Sequence, residues 1–509
     1  MRAEENALNP RALGLVALVL TAAPPLAAQR PRPAAPSPLT PALAAATPQV
    51  MSAVSTFLSD SLLRGRVPGT PGGTLAARFL AAQFQALGLS PGGANGTFFQ
   101  PVPLLRVRAK PSTVFGAGRE TVTPRSPEEL VVWPVTTDSL ISMDGELVFA
   151  GYGIEAPEFK WDDYKGVPQA GRIVLVLAGD PGLQDSTAFG GRKHTRYGNW
   201  TYKLEQAAKM GAVGVLIVHS AEATGLTWER LATPRAGDQL WLEQQLPATS
   251  LKFAGWIRED LARNLLQTAG RDYQLLLKRA LRPEFSPLNT GIHAAINIDT
   301  EIARTQGLNV VARLEGSDSA ARQEPVVIAA SYVRLESDAA FWRDSGATGA
   351  DEAASAAALV AAATGAVRLT QFPRRPMVFV AVAGRPGAEY YATRSKDRTV
   401  AVVHLEGTPP RTASNTSVLG TDRSSLGDVV RAGALAEDIV LEAPGDSEAK
   451  FLVSGAFPYV QAGPVVSLRP DGSPRTARLA LRIVWTLATS AQFPAWLPGF
   501  EPPSARRKP

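Results

Sequence analysis

Cysteine is absent from the 509 residues. Its absence excludes disulfides, thiolate nucleophiles, zinc fingers, iron–sulfur clusters and every Cys-ligated metal. Histidine is nearly absent too, at four residues. Imidazole is the commonest metal ligand and general base at neutral pH, so few routes to such a site are open. Charged residues make up only 19% of the chain, below the ~25% usual for soluble domains. Lys plus Arg number 52 against 46 Asp plus Glu, and the excess is densest only at Ala505-Arg506-Arg507-Lys508. The basic stripe with interleaved aromatics that nucleic acid requires is missing, so no nucleic-acid partner is expected. What the chain does have is 45% hydrophobic residues, enough for a large core in two or three domains of roughly 100 to 200 residues each.

The N-terminus leads through the apolar run Ala12 to Leu20 into Thr21-Ala22-Ala23-Pro24-Pro25-Leu26-Ala27-Ala28. This is the layout of a secretory signal peptide, with cleavage after Ala28. The run is shorter than the ~20 residues that span a bilayer, and no later segment is apolar enough to do so. Residues 1–28 are thus expected to be removed on export of a secreted or periplasmic, cell-envelope protein of bacterial type, leaving no transmembrane segment. Residues 29–48 are rich in Pro and Ala without a helical period and read as a linker.

Helical spacing then predicts helices over 49–63 and 74–87, separated by the turn-rich stretch Arg64-Gly65-Arg66-Val67-Pro68-Gly69. From Leu147 the pattern changes to short apolar runs, at 147–150, 173–177 and 213–218, around a helix at 202–210. From Asn309 apolar strands alternate with helices: strands at 309–314, 326–330, 377–382, 399–405, 439–441 and 465–468, an Ala-rich helix at 350–363 and a closing helix at 476–489. Such alternation implies a mostly parallel sheet covered on both faces.

Several familiar signatures are missing. Gly151-Tyr152-Gly153-Ile154-Glu155-Ala156 follows a strand as a dinucleotide fingerprint would, but Pro157, Phe159 and Trp161 come next where a helix is needed. There is no phosphate-binding loop, no Gly-x-Ser-x-Gly elbow and no His-Glu-x-x-His helix.

A set of unusual strings runs through the chain after the linker: Arg64-Gly65-Arg66 with Gly69-Thr70-Pro71-Gly72, Gly96-Thr97-Phe98-Phe99-Gln100-Pro101-Val102, Gly151-Tyr152-Gly153-Ile154, Trp161-Asp162-Asp163-Tyr164-Lys165-Gly166, and Gly198-Asn199-Trp200-Thr201-Tyr202-Lys203. Together they resemble the secreted M28-family zinc aminopeptidases. The resemblance implies an α/β fold: a three-layer α/β/α, phosphorylase/hydrolase-like peptidase domain with a mixed, mostly parallel sheet, plus an inserted β-rich protease-associated domain. It places the N-terminal part of the peptidase domain at 49–139, the insert at 140–285, the rest of the peptidase domain at 286–495 and a disordered tail at 496–509.

Active members of that family hold two zinc ions with two His and several carboxylates, beside a Glu general base. The chemistry requires such a set, because zinc must gather N and O ligands to bring its bound water toward a pKa of about 7, and a carboxylate must then shuttle the proton. Matched to the family's pattern, this chain departs at each position. Ser331 and Val333 stand for the His-x-Asp ligands, Glu352 for the bridging Asp, Arg385 and Pro386 for the Glu-Glu pair of base and ligand, Glu406 for the next Asp, and Ala456 for the last His. The resemblance therefore implies a peptidase homologue that is catalytically degenerate, with no catalytic residue, no bound cofactor and no zinc, and with a peptide or protein as its partner in the former cleft. A rebuilt site of His404, Glu406 and Glu352 is the remaining metal candidate, and a carboxylate-rich version would favour Ca²⁺ or Mg²⁺. The competing expectation is that Arg385 pairs with Glu352 or Glu406. Of the other histidines, His194 and His219 fall in the insert and His293 in the return segment, where each reads as structural.

Overall fold

The computed structural model describes residues 37–189, 191, 195–243, 250–333, 350–407, 415–442, 451, 454, 456–469 and 472–498. Two long strands, β1 (Phe99–Ala117) and β7 (Leu288–Leu314), run side by side and antiparallel, in register from Phe99 opposite Val310 to Ala117 opposite Ile292. Inward Ile292, Ala294, Ile296 and Ile298 are fully buried while the residues between them are not, the two-residue period of a strand with one packed face. Everything else is arranged on either side of this ribbon.

On one side lie β2 (Leu130–Pro134), β3 (Leu140–Phe149), β4 (Ile173–Leu177), β5 (Gly214–Val218) and β6 (Phe253–Ile257). On the other lie β8 (Val326–Ser331), β9 (Met377–Val382), β10 (Ala401–Leu405), β11 (Asn415–Leu419), β12 (Val440–Glu442) and β13 (Val465–Leu468). Among the described residues these belong to one sixteen-stranded sheet with the order β12-β11-β13-β10-β8-β9-β7-β3-β4-β5-β6-β2. Strands β9, β8, β10 and β13 are mutually parallel, and so are β3, β4, β5 and β6; β7 is antiparallel to both sets. The fold is α/β, with a mixed and mostly parallel sheet.

Strands β8, β9 and β10 read Val-Val-Ile-Ala-Ala-Ser, Met-Val-Phe-Val-Ala-Val and Ala-Val-Val-His-Leu, and nearly every residue in them is buried. Unbroken apolar runs are what a parallel strand covered on both faces needs. One face packs on helices α1 (Pro48–Leu58), α2 (Pro71–Ala86), α4 (Ala350–Ala366) and α7 (Pro474–Thr489). Helix α4 is rich in alanine, and its Gly365 lies so close to the preceding chain that a Cβ there would stand 2.6 Å from the Ala42 carbonyl oxygen. Helix α7 starts on the Ser473 hydroxyl, which accepts from the Arg475 N–H, and buries Leu479, Leu481, Ile483, Val484 and Leu487, each worth about 1.5–3 kcal/mol. The opposite face is covered by α5 (Gly384–Arg394) and the turn Phe457–Gln461.

Three expectations are corrected. The stretch assigned to a linker contains a helix at Thr40–Ala45, with Leu39, Ala42 and Ala46 buried in the main core, so the packed body begins before residue 48. The tail expected from 496 is held through 498: Trp496 bridges to Ser424, and the Leu497 N–H donates to the Arg423 carbonyl at 2.8 Å. The module expected to be β-rich carries helices as well, among them α3 (Trp200–Lys209), and its parallel strands make it α/β in its own right. Strand β2 precedes the expected start of that module at 140, yet pairs with β6 inside it.

Candidate functional site

The chain leaves β8, runs through α4 to β9 on one side, and returns to β10 on the other side of β8. Successive connections therefore diverge beyond the C-terminal end of β8. In open α/β sheets this divergence opens the crevice where ligands bind.

The residues singled out from the sequence gather at this edge. Ser331 ends β8 opposite Val382 of β9. Arg385 and Pro386 open α5 directly after β9, and Glu406 follows the last residue of β10, its N–H donating to the Leu468 carbonyl at 2.8 Å. Ala456 is fully buried in the core that α5 shares with Tyr391 and Tyr459. Helix α4 crosses from the end of β8 to the start of β9 and so runs antiparallel to the strands, which sets its first turn, with the buried Glu352, at the same edge.

The alternation of side chains sorts these positions by face. Along β8 and β10, Val327, Ala329 and Val402 pack in the core under α5, whereas Val326, Ile328, Ala401 and Val403 pack in the other. Ser331, His404 and Glu406 share the parity of the first set, and Ser467 joins them because it pairs with His404 across the ladder. One polar string thus runs through the apolar floor. The Ser467 hydroxyl donates to Glu406 Oε2 at 2.8 Å and lies 3.4 Å from His404 Nδ1. A hydroxyl has one proton; with that proton given to Glu406, the ring supplies the other, as an Nδ1–H donating to Ser467. His404 is fully enclosed and its ring lies against Tyr459, 5.8 Å between centroids. Burial lowers its pKa from 6.5 to about 4, against the pull of the Glu406 charge, so the imidazole is neutral at ordinary pH.

The other positions are committed locally. The Ser331 hydroxyl donates to the Val333 carbonyl at 2.9 Å. Val333 and Tyr332 are buried, and the Tyr332 phenol donates to the Leu308 carbonyl at 2.6 Å. Arg385 Nε bonds Glu389 Oε1 at 3.1 Å, one turn along its own helix; the expected pairing with Glu352 or Glu406 is replaced by this one, because the i,i+4 neighbour lies on the same face.

Three contributors were not singled out as site residues. Ser467 is a lone hydroxyl in an apolar strand, and that interruption was the available signal. Asn309 anchors α5, its side-chain oxygen accepting from the Ala383 N–H at 2.9 Å and its amide donating to the Gly387 carbonyl at 2.8 Å; Gly387 is required there, since a Cβ would stand 2.4 Å from that oxygen. Arg66, from the quoted Arg64-Gly65-Arg66 string, is buried and donates through Nε to the Tyr332 carbonyl at 2.7 Å and through its terminal nitrogen to the Leu58 carbonyl. His219 is buried among Trp228, Trp256 and the Leu226 carbonyl, and His293 lies exposed beside Asp144. His194 lies outside the described residues.

The architecture and this edge define an α/β protein built on a mixed, mostly parallel sheet. No protein-family model matches the chain, and no curated protein matches it. Among solved structures, an aminopeptidase from Aneurinibacillus sp. strain AM-1 is similar at a TM-score of 0.53 and 17% identity, over 89% of this chain and 97% of that one. A peptidase M28 precursor from Shewanella amazonensis SB2B has a TM-score of 0.46 at 18% identity, over 91% and 99%. BSAP, a zinc aminopeptidase from Bacillus subtilis, has 0.45 at 13%, over 89% and 96%. The first of these establishes the fold alone, which this chain shares with that aminopeptidase.

Zinc is the metal the sequence resemblance implies, and the residues at the matched positions do not fit it. Val333 and Ala456 carry no donor atom, the Ser331 hydroxyl is used by the backbone, and Arg385 brings a cation. Among the described residues no group of three or more His, Asp and Glu could hold a metal ion; the set His404, Glu406 and Glu352 is therefore not gathered around one point. Nor is any helix of the described residues long and apolar enough to cross a membrane.

Proposed function

We propose that this chain is an exported protein with an M28-type aminopeptidase fold that binds a peptide or protein segment in the cleft at the C-terminal edge of β8–β10 without hydrolysing it. One observation supports the reading: the positions matched to the two zinc histidines are Ser331, at the C-terminal end of β8, and Ala456, a buried residue with no donor atom. Zinc's first-row neighbours would fare no better, since imidazole and carboxylate donors are what such a site is made from. Removal even of one residue that only supports a ligand costs about 10- to 100-fold in affinity or activity, and here ligands themselves are replaced.

The test uses the purified chain without its first 28 residues. Bound metal is measured by elemental analysis, and hydrolysis of aminoacyl p-nitroanilides is followed with and without a chelator. The expected result is no stoichiometric zinc and no chelator-sensitive turnover. Stoichiometric zinc with turnover abolished by chelation would replace this reading with that of a metallo-aminopeptidase using a shifted ligand set.

A further inference from the structure

The strings that carried the family resemblance are concentrated in the half of the sheet that has no part in the cleft, and their polar residues converge on one buried cluster. Lys203, on the first turns of α3, is fully buried. Its Nζ donates to the Tyr152 carbonyl at 2.5 Å and to the Gly179 carbonyl at 2.7 Å, and stands 5.8 Å above the Tyr152 ring.

Each of those carbonyls belongs to a loop wound around a buried aspartate. Asp163 accepts from the N–H groups of Tyr152 and Ile154, both at 3.1 Å, and from the Trp161 indole at 2.9 Å. Asp180 accepts from the Gly182 N–H at 3.0 Å and from the N–H and hydroxyl of Thr195 at 3.1 and 2.7 Å. The lysine therefore grips the carbonyl side of the peptide segments whose N–H side the aspartates grip. Three donors aimed at each carboxylate favour the ionised form, and a charged lysine is the counter-ion both share. Burial pushes the Asp163 carboxyl up and the Lys203 amine down, each opposed by the attraction between them.

We propose that Lys203 is the pin of a charge clasp that makes the Asp163 loop and the Asp180 loop a single opening unit: the two come apart together and never separately. The reason lies in the bonding of the lysine: freeing either loop alone would take away one of the two carbonyls that hold a buried ammonium, and a buried donor left without its partner costs its desolvation in full. The two loops are joined in sequence only through β4, so a common opening is not imposed by chain connectivity. The inference is independent of whether the cleft binds or hydrolyses anything.

Native-state hydrogen exchange read by mass spectrometry tests it, on peptides covering 150–156 and 178–185 of the full chain. In the unaltered protein both peptides are expected to open with the same free energy and the same denaturant slope, as one cooperative unit. In Lys203→Met protection should fall about 100-fold or more in both. A fall confined to one peptide, or different denaturant slopes in the unaltered protein, overturns the clasp. Should Lys203→Met fail to fold, Asp180→Asn serves: it keeps shape and removes one charge. The clasp requires the 150–156 peptide, which Asp180 does not touch, to lose protection too, and unchanged protection there refutes it.

Discussion

In the half of the sheet built on β3 to β6, Lys203, Asp163 and Asp180 are buried and each has its hydrogen bonds met by backbone or side chain. In the cleft half, the positions matched to metal ligands hold Ser331, Val333, Glu352, Glu406 and Ala456, and Ser331 and Glu406 are tied to their neighbours. The contrast separates two reasons for keeping a polar residue in a core. Buried charge that organises backbone is part of folding, and its loss is destabilising whatever the protein does. Hydroxyls and methyls can stand at positions matched to metal ligands while the surrounding strands stay intact, because a buried polar group costs free energy only when it is left unpaired.

Substitutions on either side sharpen that contrast. The largest effect is expected from Lys203→Met, a loss of about 3–5 kcal/mol in urea-induced unfolding. His404→Leu comes next and is read against pH. The native imidazole holds a proton only below about 4 and the unfolded one below 6.5. Between those values the unfolded state binds more protons, so stability falls as pH drops through the window, by about 3 kcal/mol in all. His404→Leu should flatten that acid limb, and an unchanged limb would show that His404 is not the group responsible. Ser467→Ala takes the hydroxyl from both Glu406 and His404 and should cost about 1–3 kcal/mol, with the acid limb ending at a higher pH and shrinking if the serine helps keep the ring neutral. The smallest change is expected for Arg385→Gln: its partner is a half-exposed i,i+4 neighbour, worth under about 1 kcal/mol in thermal or chemical unfolding. A loss above 2 kcal/mol would mean that this arginine holds the cleft together.

Much of the cleft half was legible in the sequence. The runs at 377–382 and 465–468 are strands with the same limits, and 326–330 falls one residue short, because strands buried on both faces are uninterrupted apolar segments bounded by turns. The ribbon of β1 and β7 was legible only at its end, 309–314. Over residues 288–308 apolar residues alternate with Asn, Asp, Glu and Arg, and one exposed face dilutes the hydrophobic signal. The site positions were legible through their neighbours in sequence, but partners were not. Arg385 could have met Glu352, Glu406 or Glu389, and only the helix start at Gly384 decides among them. Ser467 and His404 lie 63 residues apart and meet through ladder pairing, which no local pattern records.

The long ribbon has a mechanical meaning. Strands β1 and β7 pass without a break from the core beneath the cleft into the core around β3 to β6, each residue pair from Phe99–Val310 to Ala117–Ile292 in register. A joint of this kind is a beam and not a hinge. Bending it would shear a ladder of backbone hydrogen bonds all at once, so a load applied to either end is carried to the other as twist, and cutting the chain at 140 and 285 would leave the beam's far end projecting with one of its faces stripped of cover.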